Sequence, residues 1–187
     1  WWLGHPEQAL FRCNQAIAGE LAQKDPYGQA FATGVGCTVL FLLRSETAAL
    51  QARSELCCRF SQQHGFSIWQ AYAQVFQGWL AVMRGEESNG VERMQRGFAC
   101  WQEMGMAIGA DSLAMVLADG CLEAARRRPH SADAARGSLL ATGLAAIEPL
   151  LGPQAACGRS FRPEFHRLKG EILMERDGLG VAEAAVI

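Results

Sequence analysis

The chain has no excess of charge of either sign. Its 187 residues carry 17 Lys and Arg against 19 Asp and Glu, a formal net charge of −2. That balance supplies no electrostatic pull toward nucleic acid or an anionic membrane. The basic run Arg126-Arg127-Arg128 is short and suits the last turn of a helix, where cations complement the dipole. No stretch is read as offering the roughly 18 uncharged apolar residues that a membrane span needs. Neither nucleic acid nor membrane is expected as a partner.

A disulfide framework is also missing. The seven cysteines (13, 37, 57, 58, 100, 121 and 157) are odd in number and irregularly spaced, and no signal-peptide pattern opens the chain. This fits reduced, buried thiols in a cytoplasmic protein. Zinc would want Cys or His pairs two to four residues apart. Cys57 and Cys58 are adjacent, so on a helix they point to different faces, and no second pair accompanies them. The four histidines, His5, His64, His130 and His166, are scattered. His64 follows Cys57 by two helical turns, some 10 Å along the axis, too far for a Cys–His nucleophile. Glu164, His166 and Glu171 do not share a face in the H-E-x-x-H manner, and His166 reads as a surface or groove residue. Gly34-Val-Gly36-Cys-Thr-Val39 lacks the third glycine and the preceding strand of a dinucleotide fingerprint. Close helix packing explains it better. No P-loop occurs. No catalytic, metal or cofactor-binding residue is therefore expected.

What the chain does have is a helical pattern throughout. It is 50% apolar and 19% charged, enough to bury a core. Asp25-Pro26 reads as an N-cap followed by proline at the first helical position. Ser67-Ile-Trp-Gln70 fits a capping box. Gly65, Gly85, Gly105 and Gly152 suit the left-handed residue that closes a helix. The pattern predicts helices over 6–23, 26–43, 46–63, 67–84, 86–103, 107–126, 132–150 and 161–176, with another beginning near 180. Residues 151–160, GPQAACGRSF, read as the longest irregular stretch.

Small residues recur in two interleaved series. Ala9, Ala49, Gly90, Ala135 and Ala184 form one, and Gly36, Gly78, Gly120 and Gly170 the other, with steps of about 40–50 residues. Gly78 lies inside FQGWLAVMRGE, which begins like a buried helix, and Trp69, Trp79 and Trp101 fall on the apolar faces of their helices and read as core. A glycine there costs about 1 kcal/mol relative to alanine. Close approach to a neighbouring helix would offset that cost. Gly90 and Gly97 supply the matching gaps on the next helix.

Paired helices with a small residue at a fixed point in each resemble tetratricopeptide repeats. Gly78, Gly120 and Gly170 match on the first helix of a pair, and Ala9, Ala49, Gly90 and Ala135 on the second. The period is longer than the usual 34 and the repeat-ending proline is missing, which suggests a longer-helix variant. The segments WLGHPEQAL, HGFSIWQAYAQVFQGWLAVMRGE and EFHRLKGEILMERDG are similar to the repeat tails of large bacterial signalling proteins. Those carry an ATPase module, often with an adenylate/guanylate cyclase domain; similar arrays occur in large ATP-dependent transcription activators. The resemblance covers nearly the whole chain. It implies an all-α, right-handed solenoid of antiparallel helix pairs, one repeat array over residues 1–187. It also implies a non-catalytic module in a parent protein whose catalytic domains lie elsewhere.

In such an array the first helices line the concave side. Counting from the aligned glycines places Val75 and Trp79, Leu117 and Cys121, and Arg167 and Glu171 toward a groove. The leading expectation is a regulatory module binding a protein or peptide partner, or other domains of its parent chain. The alternative is a small-ligand sensor in which Tyr72 and Trp79 contact the ligand; an enzyme in its own right is a third. The chain begins at Trp1-Trp2-Leu3 and stops in the helix-like Val181-Ala-Glu-Ala-Ala-Val-Ile187. It is therefore read as a piece of a longer protein whose exposed array ends could form a homodimer.

Overall fold

The structure, a computed structural model, describes residues 3–43, 47–129, 133–152 and 159–177. Among them the chain is all-helical. The elements are α1 (Pro6–Gln23), α2 (Pro26–Leu43), α3 (Thr47–His64), α4 (Ser67–Met83), α5 (Glu87–Glu103), α6 (Ala110–Arg127), α7 (Asp133–Leu151) and α8 (Arg162–Asp177). A 3-10 turn at Arg159–Phe161 leads into α8. The helix expected near 180, Ala184, Cys157, His130 and most of 151–160 lie outside the described residues.

Local chemistry sets several helix ends. Asp25 Oδ2 accepts the backbone N–H of Gly28 at 2.6 Å, with Pro26 at the first helical position, so Asp25 caps α2 as its sequence predicts. Gly65, Gly85 and Gly105 take positive φ after α3, α4 and α5. Two expectations need correction. Gly152 does not adopt a left-handed conformation. The Ser67–Gln70 capping box does not form: Phe66 stands at the cap without a side-chain bond, and Gln70 Nε2 donates to Ser61 O at 3.0 Å. Packing against α3 claims the amide that the box required. Helix α6 starts later than expected because Gly109, at φ 86°, caps it.

Each helix packs on the next, and α2–α4, α4–α6 and α6–α8 also pack directly. The contacts fix directions. On α4 and α5, positions that rise on one helix fall on the other: a Cβ on Gly97 would meet Ala71 O, and one on Gly78 would meet Gly90 O. That pair is antiparallel. By contrast, Tyr72 bonds Ser112 and Trp79 bonds Asp119, each 40 residues on, so α4 and α6 run parallel in register.

Glycine governs the closest approaches. A Cβ added to Gly78 would lie 2.6 Å from Gly90 O and 2.8 Å from Met94 N. Backbone meets backbone, and no rotamer change could relieve a side chain there. Met94, wholly buried, presses its Cγ toward Gly78 and its thioether toward Gly120. Gly34 lies against Trp69 and Cys57, and Gly36 against Arg53 and Ile17, which is the close helix packing expected of that segment.

Helix α2 corrects the hydropathy reading. Pro26–Leu43 contains no charged residue and is long and apolar enough to cross a membrane by length and composition, with 44% of it buried against the rest of the chain. Gln29, Thr33 and Thr38 interrupt the apolar run and concealed its mean hydropathy. Thr33 Oγ1 turns back to Gln29 O at 2.6 Å, and Thr38 Oγ1 pairs with Tyr72 Oη at 2.6 Å.

Candidate functional site

The residues singled out from the sequence gather along the seam where α4, α6 and α8 lie side by side. Trp79 is placed by the Gly78 contact, which seats α4 tightly on α5. Its indole Nε1 donates to Asp119 Oδ2 at 2.7 Å, and both residues are buried. Asp119 Oδ1 faces Arg167 NH2 at 3.8 Å. Arg167 also bonds Glu164, at 2.6 Å and 2.8 Å, and Glu171. The Glu164 hydrogen bond, with the two carboxylates' charges, holds the Arg167 guanidinium above its ordinary pKa. Glu171 in turn accepts from Arg126 at 2.8 Å. Arg126 lies 3.9 Å from Glu175, which pairs with the buried Arg136. The result is a charge ladder from buried Trp79 to the half-exposed edges of α6 and α8.

This geometry corrects the expected groove. Tyr72, Val75 and Trp79 are 4%, 0% and 3% exposed, so they offer no surface to a partner. Leu117 and Cys121 are equally buried. Counting turns from the glycines tells which residues share a face, not how closely the helices sit. Val75 faces α5, where a Cβ on Gly97 would meet it. Tyr72 Oη bridges Thr38 Oγ1 at 2.6 Å and Ser112 Oγ at 2.9 Å, tying α2, α4 and α6 together. Burial pushes its phenol up to about 12, while the Ser112 and Thr38 bonds pull against that rise. Arg167 and Glu171 are partly exposed and are occupied with each other in an ion pair. Asp119 and Ser112 escaped the sequence reading, although each stands 40 positions after the residue it bonds.

Three of the cysteines, Cys37, Cys57 and Cys121, are fully buried. Burial pushes the Cys57 thiol up to about 11 and the Cys121 thiol up to about 12, and raises Cys37 well above its ordinary value. A thiol held protonated is a poor nucleophile at neutral pH. Cys57 Sγ points at Ala30 O and Trp69 O, inside a helix contact. His166 lies on the surface. Among the described residues, no group of three His, Cys, Asp or Glu side chains is arranged to hold a metal. The chain matches no known protein family, no curated protein and no solved structure.

Proposed function

We propose that the chain is a non-catalytic interaction module built as a tetratricopeptide-like solenoid of antiparallel helix pairs. It serves a cytoplasmic bacterial signalling protein whose ATPase or cyclase domains lie outside this segment. The antiparallel α4–α5 pair, the parallel run of α4 beside α6 and the small-residue series support the architecture. The resemblance of the repeat segments supports the parent.

One observation carries the interaction reading. Tyr27, Phe31 and Val35 stand one turn apart on α2 and are 50%, 50% and 41% exposed. A row of large apolar side chains on one helix face is the kind of surface that takes an apolar peptide or helix. Phe31 is held from behind by Trp69, edge-on at 5.3 Å, so the row is presented on a firm support. The partner side therefore lies on α2, not on the buried Tyr72, Val75 and Trp79.

A photocrosslinking amino acid at position 31 in the full parent protein, in its own cells, tests this. Adducts to one defined segment, of another domain or a separate protein, and none from a probe at the exposed Arg59, are expected. Equal, diffuse adducts from both positions would overturn the reading, and adducts only to a second copy would replace it with self-association.

A further inference from the structure

Helices α4 and α5 bound a cleft of about 340 Å³ lined by Gln74, Asn89, Arg93 and Arg96. Asn89, Arg93 and Arg96 fall at i, i+4 and i+7 and so share one face of α5. Gln74 closes the cleft from α4. All four side chains can donate hydrogen bonds, and none carries negative charge.

The charge in this cleft is not balanced. Arg93 is half-buried and donates to Gln77 Oε1, a neutral amide that is itself buried. Among the described residues no carboxylate pairs with Arg93. Arg96 has one acidic neighbour, Glu92, at 3.9 Å, with both side chains about two-thirds exposed. Such a pair contributes little and gives way easily. Asn89 Nδ2 donates to Glu86 Oε2 at 3.2 Å, which leaves its carbonyl free for a donor on a ligand. A guanidinium withdrawn from water and held by a neutral partner favours an anion in the remaining space. Two guanidiniums one turn apart match a doubly charged group better than a single carboxylate.

We propose that this cleft binds a phosphate monoester, with Arg93 and Arg96 on the phosphate oxygens and the amides of Gln74 and Asn89 on the ester side. Gln77 acts as a positioning residue that aims Arg93. The site is independent of the α2 surface and stands or falls separately from the interaction reading.

Titration calorimetry on the full 187-residue chain tests it, with inorganic phosphate, phosphoserine and succinate at ionic strength matched by KCl. Inorganic phosphate and phosphoserine are expected to bind. Tighter binding of phosphoserine would place the ester against the amides, whereas equal binding would assign the site to free phosphate. Arg93→Gln and Arg96→Gln should each weaken binding by about tenfold or more. Arg59→Gln, on an exposed part of α3, should leave it unchanged. Far-UV circular dichroism checks that each variant is folded. Should Arg93→Gln not fold, Arg93→Lys keeps the charge, lacks the planar fork and should still weaken binding. No phosphate binding above the chloride background, wild-type affinity in the Arg93 variant, or succinate binding as tightly as phosphate would each overturn the proposal.

Discussion

Trp79 and Asp119, 40 residues apart in sequence, share a buried hydrogen bond of 2.7 Å between indole nitrogen and carboxylate oxygen. The bond joins α4 to α6, two helices that are not consecutive in the chain. Both groups are out of water, so removing the Asp119 carboxylate leaves the buried indole N–H of Trp79 without its acceptor, at about 1–3 kcal/mol.

A double-mutant cycle with Trp79→Phe and Asp119→Ala should show a coupling of about 1–3 kcal/mol in denaturant unfolding. Trp101→Phe is the reference. Trp101 is equally buried, but its Nε1 has no hydrogen-bond partner, so this change removes similar volume and no bond. Trp79→Phe should therefore cost more than Trp101→Phe. Equal losses would remove the special role of the Asp119 bond.

The charge ladder should be uneven in strength. Arg136 is 10% exposed, pairs with Glu175 and donates to Ala125 O at 3.3 Å. Arg136→Ala should cost about 1–3 kcal/mol, because it removes a buried guanidinium that holds both Glu175 and the Ala125 carbonyl. Arg167 is 39% exposed, and screening leaves its pairs worth little. Arg167→Ala should cost below about 1 kcal/mol, less still in high salt. Urea midpoints at low and high salt check both.

Alkaline pH should unfold the protein early. The buried Cys57 and Cys121 thiols are raised from an ordinary 9.0 to about 11 and about 12, and Cys37 rises in the same direction. The folded chain thus holds protons that the unfolded chain releases above pH 9. The stability from these groups is complete below the ordinary pKa and falls as pH climbs toward the raised values. Each thiol removes roughly 1.4 kcal/mol per pH unit in that window. Melting temperature should be flat from pH 7 to 8 and drop between pH 9 and 11. Cys57→Ala should flatten that drop relative to its own neutral value.

Helix positions were legible in the sequence because glycine and proline punctuate them and apolar residues recur at helical spacing. Gly78 was legible too: a glycine inside an apolar helix needs a neighbour, and Gly90 and Met94 provide one. Trp79 read as core and is buried, but the burial of Tyr72 and Val75 was not legible, since helical spacing tells which residues share a face but not how many neighbours crowd it. Asp119 was missed because an acidic residue in LAMVLADGCL looks like a solvent-facing position. The clue was available in the period: Asp119 follows Trp79, and Ser112 follows Tyr72, by the step that separates the repeats. The α2 row escaped the sequence reading, because aromatic and β-branched residues on an apolar helix carry no sign of which face a neighbour leaves open.

The most direct measurement concerns the glycines. Gly78→Ala and Gly19→Ala make the same chemical change within a helix. A Cβ at 78 would meet backbone atoms of α5 at 2.6–2.8 Å, whereas one at 19 would meet nothing within 4 Å. Gly78→Ala should lose about 2 kcal/mol despite its better helix propensity, lowering the melting temperature by about 4–8 °C. Gly19→Ala should gain about 0.5–1 kcal/mol. Stabilisation by both changes would contradict the account, because α4 and α5 would then not meet backbone to backbone at Gly78.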